Sequence, residues 1–320
     1  MKKRLSVKHR ARNYYAPSRA SSRRWVYIAA IAVLAAVLVF SGIMLIGYAR
    51  DYVSSRQISS DLRQINQTAM EEERMQQTAV PQVQPTVRPQ PTAKPTASPS
   101  MVLPALRYPT NYYAIVSTRF KKIQAQNKDI IGWLNIDGVL DEAVVQRDNE
   151  YYLRRDYRGY HNQNGSIFLD ENCKLNTRPY TLMLYGHNMK TGAMFGCLRN
   201  FENAAFYHKN PFITFDTAYE NGRYVIFAVG TVSTIQGNGK YVNFARLSSS
   251  TIPWRQKELD QLQYISVYHS PIDVQPDDQL LLLITCVDDS TERRVVAARR
   301  IREGEDEKTL QVAVNRTILK

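Results

Sequence analysis

From Trp25 to Tyr48 the chain reads WVYIAAIAVLAAVLVFSGIMLIGY, a run of 24 residues without a charge. As a helix it reaches about 36 Å, enough to cross a bilayer core with some tilt. Trp25, Tyr27 and Tyr48 stand near its ends, where interfacial aromatics belong. Residues 1–24 hold nine Lys and Arg and no Asp or Glu. That block predicts a cytoplasmic N-terminus, with everything after Tyr48 outside the cell. A cleaved signal peptide is the competing reading, but its apolar core is shorter and a small-residue cleavage site follows it. SGIMLIGYARDY offers no such site, so an uncleaved anchor at 25–48 is the expectation.

The block also explains the net charge. Nine of the thirteen net positive charges lie in residues 1–24. The remainder is nearly balanced, which argues against a nucleic-acid-binding domain. Residues 49–77 are polar and lack Pro and Gly, as in a helical stalk. Eight of the 14 prolines fall between Pro81 and Pro109. Segment 78–104 therefore reads as an extended, semi-rigid linker, with a Pro-rich ligand for a partner domain as the alternative.

Residues 105–320 read as one β-rich extracellular domain. Predicted strands are Ile130–Ile136, Ala143–Gln146, Ser166–Leu169, Tyr180–Tyr185, Tyr224–Val232, Gln279–Thr285 and Arg294–Ile301, bounded by turns such as Asn164-Gly165. Helices are expected over Asn111–Asn127 and within Ser248–Tyr268. Composition alone gives a β-barrel or sandwich with peripheral helices.

Chemistry concentrates at two strand ends. The run QLLLLITC ends in Cys286, and a short VDDSTER connection leads to Arg294. So short a connection favours an antiparallel hairpin, which brings a guanidinium beside the thiol. A free thiol is only about 3% thiolate at neutral pH, and a neighbouring cation stabilises the thiolate or an oxyanion. TLMLYGHN presents His187 after a strand and a Gly turn. Cys with His is the minimal pair for acyl transfer. No HExxH or CxxC occurs, and no cofactor motif is visible. Cys197 reads as a small packed residue, and Cys173 has no assigned role.

YGHNMKTGAMFGCLRNF, NKDIIGWLNIDG, EAVVQRDNEYYLRRDYRG, NQNGSIFLD and LLITC together resemble the sortases, membrane-anchored cysteine transpeptidases of Gram-positive bacteria, in their class B form. The resemblance implies an eight-stranded β-barrel with flanking helices. It implies Cys286 as nucleophile, His187 as general acid/base and an arginine as oxyanion stabiliser or substrate holder. The family's arginine usually stands directly before the apolar strand residues, which points to Arg294. Arg293 faces the other way on the strand and is the alternative. The implied substrate is a secreted protein with an NPxT- or LPxT-like C-terminal sorting signal. The implied acceptor is an amine of a peptidoglycan precursor or of a pilin. Some sortases bind calcium, but no acidic cluster supports it here. Leu282 and Ile284 stand where class B members carry hydroxyl residues, which puts substrate preference in doubt. The rivals are a cysteine peptidase or cell-wall hydrolase, disfavoured by His preceding Cys, and a tethered binding module.

Overall fold

The computed structural model describes residues 19–79, 101–286 and 291–320. The basic tail to Ser18, most of the Pro-rich linker and the connection 287–290 lie outside the described residues. The chain forms two compact units, Met1–Arg50 and Asp51–Lys320.

The helices are α1 (Arg19–Ala79), α2 (Thr118–Gln124), α3 (Ala204–Lys209), α4 (Phe244–Leu247), α5 (Ile252–Ile265) and α6 (Glu307–Val314). The strands are β1 (Ile130–Ile136), β2 (Leu140–Val145), β3 (Ile167–Leu169), β4 (Thr181–His187), β5 (Phe212–Thr217), β6 (Arg223–Ser233), β7 (Tyr268–His269), β8 (Leu280–Cys286), β9 (Glu292–Arg300) and β10 (Ile318–Leu319). Residues of α1 up to Arg50 fall in the first unit. There, Arg24–Gly47 is long and apolar enough to cross a membrane, and its apolar side chains are exposed.

In the second unit eight strands close a barrel in the order β1-β2-β3-β4-β8-β9-β6-β5, and β7 pairs with β10 outside it. The β2/β3 and β4/β8 pairs are parallel. The other ladders are antiparallel, including the expected β8/β9 hairpin. Continuous apolar runs suit strands with cover on both faces: Leu280–Ile284 and Val296–Ala298 are almost wholly inaccessible.

Two expectations change. Only Thr118–Gln124 of the segment 111–127 is helical. Asn111 Oδ1 instead accepts from the Ile115 N–H at 2.8 Å, and Ala114 takes a positive φ of 49°, so the stretch before Ser117 is a turn. Phe212–Thr217 is a strand absent from the sequence reading, wedged between β1 and β6. Within Ser248–Tyr268, α5 begins at Ile252 with Pro253 in its first turn, where its missing N–H costs nothing.

The segment read as a stalk is helical and docks on the barrel. Ile58, Leu62, Asn66 and Ala69 are buried, one stripe at helical spacing. Polar contacts flank the stripe. Ser59 Oγ donates to Glu142 Oε2 at 2.9 Å, and Arg63 Nη2 to Glu142 Oε1 at 2.6 Å. Buried Arg119 donates to Asn66 Oδ1 and to Asp216 Oδ2. Burial pushes the Glu142 carboxyl up, against the opposing pull of Arg63 and Ser59.

Buried apolar residues form two clusters. The larger fills the barrel and extends under α5 and α6. The smaller joins Leu62 to Phe120, Trp133, Tyr152 and Phe168.

Candidate active site

Strands β4 and β8 run parallel through seven registered pairs, from Thr181↔Leu280 to His187↔Cys286. Neighbouring strands lie about 4.8 Å apart. The ladder therefore sets the two residues singled out by the sequence side by side at one end of the barrel.

Along β4, Met183, Tyr185 and His187 share a face by strand alternation. Their register partners are Leu282, Ile284 and Cys286. Leu282 and Ile284 are fully buried hydrocarbon. Gly186 precedes the histidine because a Cβ there would stand 2.9 Å from the Phe195 ring. Phe195, Leu198 and Phe201 of the 3-10 stretch Phe195–Glu202 are fully buried and seat the loop after His187. Arg199 ties that loop from within: Nη2 donates to the Met189 carbonyl at 2.5 Å and Nε to the Gly196 carbonyl at 2.8 Å.

His187 is half-buried. Its Nε2 lies 2.5 Å from the carbonyl oxygen of Leu153. A carbonyl only accepts, so Nε2 carries the hydrogen and Nδ1 is the nitrogen left for proton exchange. Leu153 belongs to the 3-10 turn Tyr151–Arg154. That carbonyl is approached closely by Gly165, at φ +60°, where a Cβ would sit 2.3 Å from the oxygen. The turn is pinned through Tyr152, whose hydroxyl donates to Asp129 Oδ2 at 2.8 Å and whose carbonyl accepts from the Ser166 N–H.

The two arginines separate by register. Ile284 pairs with Val295 in the β8/β9 ladder. The pairing ends there; continued in step for two residues on each strand, it would set Arg293 opposite Cys286, on the line that includes His187. Arg294 falls on the opposite line. Its backbone N–H donates to Thr285 Oγ1 at 3.0 Å, and its Nε donates to Glu202 Oε1 at 2.8 Å.

The remaining thiols and imidazoles of the described residues are poor candidates. Burial pushes the thiols of Cys173 and Cys197 up to about 12, so neither supplies thiolate at neutral pH. Cys197 Sγ instead rests on the Met194 carbonyl. His208 sits in α3 against the Thr317 carbonyl, and His161 against Gln163. A cleft of about 940 Å³ runs along Met183 and Tyr185, walled by Phe244 and Ser248 on one side and Tyr108 and Tyr112 on another. Among the described residues no group of three metal-ligating side chains converges.

A sortase-domain family model matches residues 140–301, half of the chain, and includes both β4 and β8. The chain belongs to the sortase family. It is 31% identical to sortase B of Staphylococcus aureus over 192 residues, covering 58% of this chain and 76% of that one. It is 30% identical to sortase B of Listeria monocytogenes over 200 residues, 61% of this chain and 76% of that one. Among solved structures, a Staphylococcus aureus sortase B–substrate complex superposes with a TM-score of 0.54 at 30% identity, covering 59% of this chain and 88% of that one. The sortase is thus of class B type, a transpeptidase, on the expected eight-stranded barrel.

Sequence reading singled out His187, Cys286 and the arginine pair, and the fold sets His187 beside Cys286 in one ladder. It missed Leu153, Gly165, Arg199 and Glu202. A signal for the Arg199 element existed, since Phe195, Leu198 and Phe201 recur at intervals of three. None existed for Leu153, whose contribution is a main-chain oxygen.

Proposed function

We propose that this sortase cleaves an NPxT- or LPxT-like sorting signal after its Thr and joins the released carboxyl to an amine of the cell wall or of a pilin. The Cys286 thiolate attacks the Thr carbonyl carbon, and the scissile C–N bond breaks as His187 delivers a proton to the departing amine. The acceptor amine then attacks the thioester, its proton passes to His187, and the thiolate is released. The observation that carries this reading is the pairing of His187 with Cys286 at the end of one parallel ladder.

For the arginine, register favours Arg293 over Arg294. Continued in step from Ile284↔Val295, the ladder sets Arg293 on the line of the His–Cys pair and Arg294 on the other. A guanidinium on the nucleophile's line is placed to stabilise the oxyanion of the tetrahedral intermediate. The cleft along Met183 and Tyr185 leads along the same face of β4 and has room for an extended peptide.

The exposed apolar helix Arg24–Gly47 supports a single-pass anchor. The basic tail, 1–24, then stays in the cytoplasm and the catalytic domain lies outside. The Pro-rich linker, 78–104, joins the docked helix to the barrel.

The test incubates the full chain with a panel of sorting-signal peptides, with and without a small amine, and reads products by mass spectrometry. A peptide cleaved after Thr and joined to the amine, with nothing from Cys286→Ala, is the expected result. Equal product from Cys286→Ala would overturn it.

A further inference from the structure

Leu62 lies in the helix read as a stalk, outside the matched segment 140–301. It is 1% exposed. The cluster it completes contains Trp133, Tyr152 and Phe168, and partly buried Tyr151, Leu153 and Tyr185 pack against that cluster. Two of these bracket the histidine. Tyr185 precedes His187 by two residues on the same face of β4 and stacks on Phe168, ring centroids 5.5 Å apart. Leu153 supplies the carbonyl that receives the His187 Nε2–H.

We propose that the docked stretch of α1, through Leu62, is a positioning element for His187. The proposal rests on the assignment of His187 as the proton carrier. The main chain of the turn Tyr151–Arg154 is anchored by Leu153 N–H to the Glu150 carbonyl, by Tyr151 N–H to Asp148 Oδ1, and by the Tyr152 and Arg154 carbonyls, which accept from the Ser166 and Asn162 N–H groups, but none of these bonds is made by the Leu153 carbonyl. The position of the Leu153 carbonyl therefore depends on how the side chains of the turn are packed. Leu62 closes that packing from the side opposite the barrel. Truncating it leaves a void that the turn can settle into. The carbonyl then withdraws from Nε2, and the imidazole loses the partner that keeps its hydrogen on that nitrogen. A neutral histidine without the partner divides between tautomers, and the fraction with hydrogen on Nδ1 cannot accept a proton there.

Polar contacts fix the register of the helix on the cluster. Ser59 and Arg63 hold Glu142 at one end, Asn66 meets Arg119 in the middle, and Glu72 pairs with Lys122 at the other. With these in place Leu62 enters the cluster at one position along the helix.

The test uses the full chain in lipid nanodiscs, with the cleaved sorting peptide and an amine as substrates. Leu62→Ala is compared with Leu62→Met and with Leu310→Ala, a truncation in α6 that touches the other cluster. Nitrogen-15 spectra of the imidazoles, with His187 assigned by its loss in His187→Ala, read the tautomer directly. Leu62→Ala is expected to lower kcat about tenfold, with KM for the peptide nearly unchanged, and to move His187 from the Nε2–H form to a mixture. Leu62→Met restores both, and Leu310→Ala lowers the melting temperature without moving either. If Leu62→Ala does not fold, Leu62→Val carries the same readouts. An unchanged His187 tautomer together with kcat within about twofold of wild type overturns the proposal. Activity surviving in His187→Ala would instead overturn the assignment of His187, while a tautomer shift in Leu62→Ala would still report the positioning.

Discussion

The barrel interior and the cluster beneath α1 are both apolar, but they are closed by different means. In the interior, a strand residue such as Leu283 is hydrogen-bonded to two neighbouring strands, so it cannot leave without breaking the β4 and β9 ladders. In the outer cluster, the lid is one helix face, held by Leu62 and a few polar pairs. The first arrangement places Cys286 beside His187. The second steadies the turn that holds His187 from the other side. The site thus spans a region that opens only with global unfolding and one that can open locally.

Substitutions can sharpen that contrast. Leu283→Ala, in the closed interior, should cost about 4 kcal/mol, read from denaturant unfolding. Arg293→Ala should lower kcat/KM by about 10²–10³, as removal of an oxyanion donor does, while Arg294→Ala stays within about tenfold. The opposite ranking would mean that the ladder does not continue in register beyond Ile284. Leu62→Ala should cost about 2–3 kcal/mol, less than Leu283→Ala, because the helix face can collapse onto the void. A cost equal to that of Leu283→Ala would erase the distinction between the two regions.

The two regions should also respond oppositely to pH. Burial pushes the Glu142 carboxyl up, only partly offset by Arg63. Its folded form keeps a proton at pH values where an unfolded Glu, near about 4.3, has lost it. Stability therefore falls as pH rises through the folded value, and Glu142→Gln should remove that decline. At the barrel's far edge, burial would raise Glu305 and Asp273, but hydrogen bonds from Arg299 and Arg302 outweigh it and lower both. Their stabilisation is present above the ordinary carboxylate range and is lost as pH falls through the depressed values. Melting temperatures of Glu142→Gln and Glu305→Gln between about pH 3 and 8 check both signs. The smallest effect belongs to the exposed Glu72–Lys122 pair: Lys122→Ala should change stability by less than about 0.5 kcal/mol.

How much could be read from residues alone follows the same division. TLMLY and LLLLIT announce themselves as strands because burial on both faces leaves an unbroken apolar run. The His and Cys at their ends were visible for that reason. The parallel pairing of these strands was not, because it depends on strands far apart in sequence. Arg293 and Arg294 could not be separated while the register of β8 on β9 was unknown. The docked face of α1 was harder still. Its stripe is Ile58, Leu62, Asn66 and Ala69, with one polar and one small member, and it gives a faint periodic signal. Asn66 is buried because Arg119 waits for it, a pairing across 53 positions. The strand Phe212–Thr217 escaped for a related reason: FITFDT mixes threonine and aspartate into its alternation, and Asp216 is inside only because Arg119 neutralises it.

Strand β8 enters the barrel between β4 and β9. During synthesis the histidine strand is made long before the thiol strand, and β9 follows later still. A growing chain therefore displays an imidazole with no thiol beside it, and the pair forms only when the β4/β8 ladder closes. Long-range parallel pairing is slow. On the proposed assignment of His187 and Cys286, reactivity thereby becomes a late product of folding, because an incompletely folded chain lacks the paired thiol and imidazole that acyl transfer needs.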